Sequence, residues 1–365
     1  MTAAELTAAL VAIDSVNPDL VADGAGEREI AAYIEQWARD SALEADVHEA
    51  TAGRPSVVVR ARGTGGGRTL LLCGHTDTVT TEGMREPLVA RREGDRLHGR
   101  GAYDMKGGLA AALVACRDAA AARLAGDVVV AAVADEEHAS LGVQEVLQHV
   151  TADAAIVTEP TELAIVIAHR GFVWAEIEVR GVAAHGSRPH LADDAIAKAG
   201  PVLTRIAELD ARLHAPVHPL LGRASVHAST IAGGEELSSY PARCVVGLER
   251  RTLPGESAET FEAELDELVR GSGAKHRILL ERRPYELDAD AEIVRALSAA
   301  APAAPVEGAS YWADSAFIGA AGIPTVLFGP RGEGAHAAEE WVSVESLEET
   351  ARVLTSVARS FCNDV

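Results

Sequence analysis

The stretch Asp127-Val128-Val129-Val130-Ala131-Ala132-Val133-Ala134-Asp135-Glu136-Glu137 decides the fold. From Val128 to Ala134 no polar residue interrupts it, and it is too short for a helix that buries one face. A run of this kind, from Asp127 to Ala134, reads as a strand. Helical spacing on either side, from about Lys106 to Arg123 and from about Leu141 to Val150, is followed by a short strand at Ala154 to Val157. Strand and helix in alternation predict an α/β fold, a mostly parallel sheet with helices on both faces.

Upstream, Ile30, Tyr33, Ile34, Trp37 and Ala38 recur with helical period. The runs Ser56 to Arg60 and Thr69 to Cys73, separated by a glycine-rich turn at Gly63 to Gly67, read as neighbouring strands. Downstream of Gly171 the pattern changes to strand (Phe172 to Arg180), helix (Asp193 to Leu213), strands (Ala224 to Ile231 and Arg243 to Glu249), helix (Ala258 to Val269) and strand (His276 to Glu281). This β-α-β-β-α-β order is that of a small α+β sandwich. Beyond Pro284 one strand, Thr325 to Phe328, stands among helices and cannot form a core alone, so this portion is expected to rejoin the first domain. The expected division is residues 1–171 with 284–365, and an inserted domain over 172–283.

The 365 residues carry 33 Lys+Arg against 55 Asp+Glu, a net charge of −22 that repels polyanions and argues against nucleic acid as a partner. No apolar run approaches the ~18 residues of a membrane span, and the first residues lack the basic and apolar segments of a leader. These features predict a cytoplasmic chain with no membrane partner. Cys73, Cys116, Cys244 and Cys362 are widely spaced, which predicts buried free thiols.

Ligands of open parallel sheets bind at the carboxyl ends of the strands. Here those ends carry His75 and Asp77, then Asp135, Glu136 and Glu137, then Glu159; Asp104 precedes a helix, and His336 follows the last strand. Each alone reads as a helix cap or a hydrogen-bonded structural residue. Gathered on one sheet edge they form a donor set of imidazole and carboxylate without thiolate, which suits a catalytic Zn²⁺ or a pair of divalent ions.

The segments LLLCGHTDTV, GRGAYDMKGGLAA, VADEEHASLG, TEPT, AAHGSRPH and AAGIPTVLFGPRGEGAHAAEEW resemble, in order and over nearly the whole chain, those of the dizinc amidohydrolases. That family includes acetylornithine deacetylase, succinyl-diaminopimelate desuccinylase, aminoacylase and the glutamate carboxypeptidases. The resemblance implies a zinc-peptidase-like catalytic domain with an inserted lid and dimerisation domain, and two Zn²⁺ per subunit for which Co²⁺ or Mn²⁺ can substitute. It implies His75 and Glu159 on one ion, Glu137 and His336 on the other, and Asp104 bridging, with a cis peptide after Asp104. Asp77 matches the carboxylate that orients the ligand histidine, and Glu136 matches the general base. His185 matches a histidine that reaches a neighbouring active site to stabilise the oxyanion, and Arg251 matches a lid residue that meets a substrate carboxylate.

The implied activity is hydrolysis of a linear amide in a small N-acyl amino acid, by a deacylase like acetylornithine deacetylase acting as a homodimer. A dipeptidase or carboxypeptidase acting on a short peptide would use the same site. A reading from another class, a non-catalytic metal-binding or scaffold protein, is opposed by retention of all five apparent ligands together with Glu136.

Overall fold

The computed structural model describes residues 1–215 and 217–363. These form two units, one of residues 1–167, 287–307 and 313–365, the other of residues 168–286 and 308–312.

In the first unit the apolar runs take the middle of the sheet. Val128–Val133, Leu70–His75, Ala154–Val157 and Thr325–Leu327 lie side by side in that order, all parallel. Every residue of the four is buried, as strands with both faces covered require. The flanks are antiparallel: Ser56–Ala61 and then Glu44–His48 on one side, Ile165–His169 on the other. The mostly parallel sheet is therefore parallel at its centre and antiparallel at its margins.

Ser56–Ala61 and Leu70–His75 are not neighbours, contrary to the reading above; Val128–Val133 runs between them. The glycine-rich loop steps over that strand, a span of roughly 10 Å. Its backbone bonds the segment that leads into the strand, Thr64 N to Leu124 O at 2.8 Å and Gly65 N to Ala125 O at 2.9 Å. A Cβ at Gly67 would lie 2.0 Å from the Cys362 carbonyl oxygen, so the crossing needs glycine there.

The helix Gly107–Ala122 is apolar almost all round and is packed between the sheet and the C-terminal helix Val344–Phe361. The stripe expected on the latter, Val344, Leu347, Ala351, Leu354, Ala358 and Phe361, is its buried face. At the start of Gly107–Ala122, a Cβ on Gly108 would meet the Thr158 carbonyl oxygen at 1.8 Å. Glycine thus lets the helix touch the end of a neighbouring strand, which places Asp104 and Glu159 in one region. A small sheet of Arg91–Glu93, Arg96–His98, Trp341–Ser343 and Gly332–Glu333 completes the unit. Its strands, two or three residues long and mostly polar, carry no periodic signal.

In the second unit four antiparallel strands lie in the order Ser225–Gly233, Arg243–Thr252, Gly171–Arg180, Lys275–Arg282. Gly171–Arg180 alternates buried and less buried residues along most of its length. Its inward side chains Val173, Ala175, Ile177 and Val179 meet Val202, Ile206 and Leu209 of helix Ala195–Arg212 and Phe261, Leu265 and Leu268 of helix Ala258–Val269. That is an α+β layer pair with one solvated sheet face. The first helix continues through Gly200-Pro201.

All four cysteines are free and buried. Among the described residues no helix is long and apolar enough to cross a membrane.

Candidate metal centre

In the first unit the carboxyl ends of the central strands deliver His75, Glu136, Glu137 and Glu159 to one place, where Asp104 and His336 join them. The two oxygens of Asp104 face one histidine each: His75 Nε2 lies 3.2 Å from Oδ1 and His336 Nε2 lies 3.3 Å from Oδ2. His336 Nε2 is also 3.1 Å from Glu137 Oε2. Ligand-type atoms of His75, Asp104 and Glu137 lie within 4.8 Å of one another, and so do those of His75, Glu136 and Glu159. Six of the eight side chains singled out from the sequence for this edge, His75, Asp104, Glu136, Glu137, Glu159 and His336, are thus brought together. The Asp104–Met105 peptide is cis.

The backbone is shaped to the task. His336 is held at φ 61° and Asp135 at φ 68°, left-handed conformations that non-glycine residues adopt where surrounding structure enforces them. Asp104 stands just ahead of the helix Gly107–Ala122, whose N-terminal end favours a negative charge.

Four carboxylates and two imidazoles in so small a space perturb each other's protonation. Burial pushes the Glu159 carboxyl up to about 8, with Asp104, Glu137 and Asp314 adding to the effect. Burial likewise raises Glu136 well above its ordinary value, and Asp314, Glu159 and Glu137 add to it against the opposing charge of His75. Burial alone would lower His75, but the hydrogen bond to Asp104 and the charges of Glu159, Asp77 and Glu136 hold it well above 6.5. His336 is pushed up to about 10 by its contacts with Asp104 and Glu137. Nitrogen and oxygen donors converge here with a surplus of negative charge, and such a set fits divalent cations.

Asp77 lies against the His75 ring with its backbone and its carboxylate at different distances. His75 Nδ1–H donates to the backbone carbonyl of Asp77 at 2.9 Å, while the Asp77 carboxylate stands at 3.6 Å, beyond a hydrogen bond. That bond still sets the tautomer that turns Nε2 toward Asp104. The Asp77 carboxylate instead accepts the backbone N–H groups of Glu136 and Glu137 at 3.1 and 3.2 Å. It holds the turn that presents both glutamates.

Behind this turn lies a network that sequence reasoning missed. Asn17 Nδ2 donates to Asp77 Oδ2 at 2.8 Å and to Asp135 Oδ1 at 2.9 Å. Arg54, only 5% exposed, donates to Glu27 at 2.7 and 2.8 Å, to Asp135 at 2.7 Å, and to Asp19. Asp19, Asp135 and His138 also bring ligand atoms close together, but there the Arg54 guanidinium already supplies the cation. Asp135, read from the sequence as a possible cap, accepts Ala139 N–H at 3.2 Å within the turn, while the helix itself begins only at Leu141. Nothing local in the sequence pairs it with Arg54, which is 81 residues away.

His185 and Arg251 belong to the second unit. His185 Nδ1 accepts from the Ser187 backbone N–H at 3.2 Å and lies 2.8 Å from its hydroxyl, which leaves the proton on Nε2. Arg251 donates from Nε to Glu249 at 2.7 Å and lies over the Phe172 ring, 5.1 Å from its centroid. One edge of its guanidinium is thereby committed within the sheet.

Comparison with known proteins bears on the family and the fold. The profile of peptidase family M20/M25/M40 matches residues 71–360. An acetylornithine deacetylase of Myxococcus xanthus is 33% identical over 321 residues, 82% of each chain. The aminopeptidase PepT of Bacillus cereus ATCC 10987 superposes with a TM-score of 0.82 over 99% of this chain and 98% of its own, at 19% identity. The YXEP protein of Bacillus subtilis, described as a dinuclear metal binding peptidase from the M20 family, superposes with a TM-score of 0.75 over 100% of this chain and 98% of its own, at 16% identity. Because the family profile spans most of the chain and the sequence likeness extends well beyond the short motifs, this protein belongs to peptidase family M20/M25/M40 and is a hydrolase of amide bonds.

Proposed function

We propose that the chain is a dinuclear metal-dependent deacylase of a small N-acyl amino acid, with acetylornithine-type substrates the first to test. The observation that carries the reading is the two-faced Asp104, with one carboxylate oxygen toward His75 and the other toward His336. In this reading His75 and Glu159 hold one ion, Glu137 and His336 the other, and Asp104 both; Zn²⁺ is the proposed metal, with Co²⁺ or Mn²⁺ as substitutes. When bound, the ions polarise the scissile carbonyl and lower the pKa of water.

The remaining work falls to the protein. Glu136 takes the proton of the attacking water and passes it to the leaving nitrogen. His185, with its proton on Nε2, donates to the oxyanion of a second subunit. Arg251 meets the substrate carboxylate with its terminal nitrogens. The proposed assembly is a cytoplasmic homodimer formed through the second unit. Ser225–Gly233 is an edge strand there, and Ile231 and Ile196 are 54% and 44% exposed.

The test is a hydrolysis panel of N-acetyl, N-succinyl and N-carbamoyl amino acids beside dipeptides, each with Zn²⁺, Co²⁺ and Mn²⁺. Preference for a dipeptide over every acyl amino acid would overturn the deacylase reading. Glu136→Gln should abolish turnover by about 10²–10⁴-fold while retaining metal; loss of the metal would mean that Glu136 is itself a ligand. Mixing His185→Ala with Glu136→Gln chains, with subunit exchange verified by mass, should restore partial activity, and no recovery would reject the role across subunits.

A further inference from the structure

Two of the proposed ligands, Asp104 and His336, sit on loops far apart in the chain, and a third group ties those loops together. Glu340, four residues after His336, is 1% exposed and touches neither the imidazoles nor the other carboxylates of the cluster through any hydrogen bond. Its Oε1 accepts the backbone N–H of Tyr103 at 2.9 Å and of Asp104 at 3.1 Å. Its Oε2 accepts the backbone N–H of Gly101 at 2.9 Å and Arg100 Nη1 at 2.7 Å. A carboxylate has about four acceptor positions, and here each oxygen serves two donors.

Arg100, 2% exposed, returns the grip: its Nη2 donates to the carbonyl of Ala337, the residue after His336, at 2.9 Å. Gly99 N–H adds a bond to the Glu340 carbonyl at 3.2 Å, and Trp341 pairs with His98 in the small sheet. Each loop thus holds the other by backbone and side chain, beside the residues that carry the two ligands.

We infer that Glu340, braced by Arg100, is a positioning residue that sets Asp104 against His336 before any cation arrives. The inference rests on the two-ion reading only for its consequence, since the clasp itself is built without metal. Its chemistry is specific. A neutral amide at position 340 has the same shape, but its nitrogen would face two N–H donors in place of an acceptor, and Arg100 would lose its counter-charge.

The test uses full-length wild type, Glu340→Gln and Arg100→Lys, first freed of metal with a chelator and checked for folding by circular dichroism. Hydrogen exchange of the peptide covering residues 100–105 should be slow in metal-free wild type and at least about tenfold faster in Glu340→Gln. Unchanged exchange would overturn the clasp. Titration with Co²⁺, followed by its visible absorption, should then give two equivalents in wild type. In Glu340→Gln the second equivalent should bind about 10–100-fold more weakly, the cost seen when partners that orient metal ligands are removed. A folded Glu340→Gln chain that binds both equivalents as wild type does would overturn the inference, even if its melting temperature fell, because a merely structural role predicts that outcome. If Glu340→Gln does not fold, Arg100→Lys decides by the same readouts, with faster exchange and weaker second binding expected and wild-type behaviour overturning. If wild type itself takes up one equivalent, the two-ion reading fails and the exchange result alone judges the clasp.

Discussion

Replacing Arg54 by Met should be among the most damaging single changes away from the ligands themselves. The guanidinium is 5% exposed and neutralises Glu27 and Asp135, both 0% exposed, as well as Asp19. Removing one member of a buried ion pair costs ~3–5 kcal/mol, because the partner charge stays buried and unpaired. Asp19, whose side chain is 51% exposed, can return to water and adds little. We therefore expect a loss of about 3–5 kcal/mol at pH 7, a large part of the ~5–15 kcal/mol that stabilises an ordinary fold. The loss should depend on pH. Burial raises the Glu27 carboxyl above 4.5, with Arg54 opposing, so without Arg54 the folded-state pKa climbs further. A carboxyl with a higher pKa folded than unfolded binds more protons in the native state, so its penalty is full at neutral pH and shrinks as pH falls. Urea unfolding of metal-free protein at pH 7 and pH 5, followed by tryptophan fluorescence, measures both effects. A difference from wild type below about 1 kcal/mol at pH 7, or one that grows toward pH 5, would refute the reasoning.

Gly108→Ala should destabilise by roughly 3 kcal/mol or prevent folding, because the added carbon would lie 1.8 Å from the Thr158 carbonyl oxygen; near-normal thermal melting would contradict that packing. Metal loading should release protons: with Glu159 at about 8 and His336 at about 10 in the metal-free protein, both are protonated at pH 7 and must yield. His75, held well above 6.5, must yield as well, so a weakly buffered dye assay should read at least two protons per chain, with affinity rising with pH, and a silent dye would argue that other groups bind the metal. All four thiols should resist a disulfide reagent at pH 8 in the native protein, since all are buried and burial pushes Cys116 and Cys362 up to about 12. Rapid reaction of even one would show that a strand or helix end is open. Asn17→Ala should lower the affinity for metal by about tenfold, through the Asp77 carboxylate that holds the Glu136–Glu137 turn. Cobalt titration checks it, and unaltered affinity would leave Asn17 with no part in the centre.

Elements whose signal is local were legible in the residues alone. Val128–Val133 and Ala154–Val157 read as buried strands because nothing polar interrupts them, and Val344–Phe361 as a helix because its apolar residues recur with helical period. The candidate site was legible for a related reason: His75, Glu136, Glu137 and Glu159 lie at the ends of apolar strands, and strands of one parallel sheet must end on a common edge. Strands of two or three residues such as Arg96–His98 and Trp341–Ser343 were not legible, since only their pairing makes them strands. Only in the folded chain does Val128–Val133 enter between two strands adjacent in sequence, the Asp77 carboxylate accept from the Glu136–Glu137 turn, and Arg54 and Glu340 each satisfy several partners at once. These are hydrogen bonds and ion pairs between residues distant in the chain. Their partners are selected by geometry once the chain has folded, and no local pattern of residue types encodes that choice.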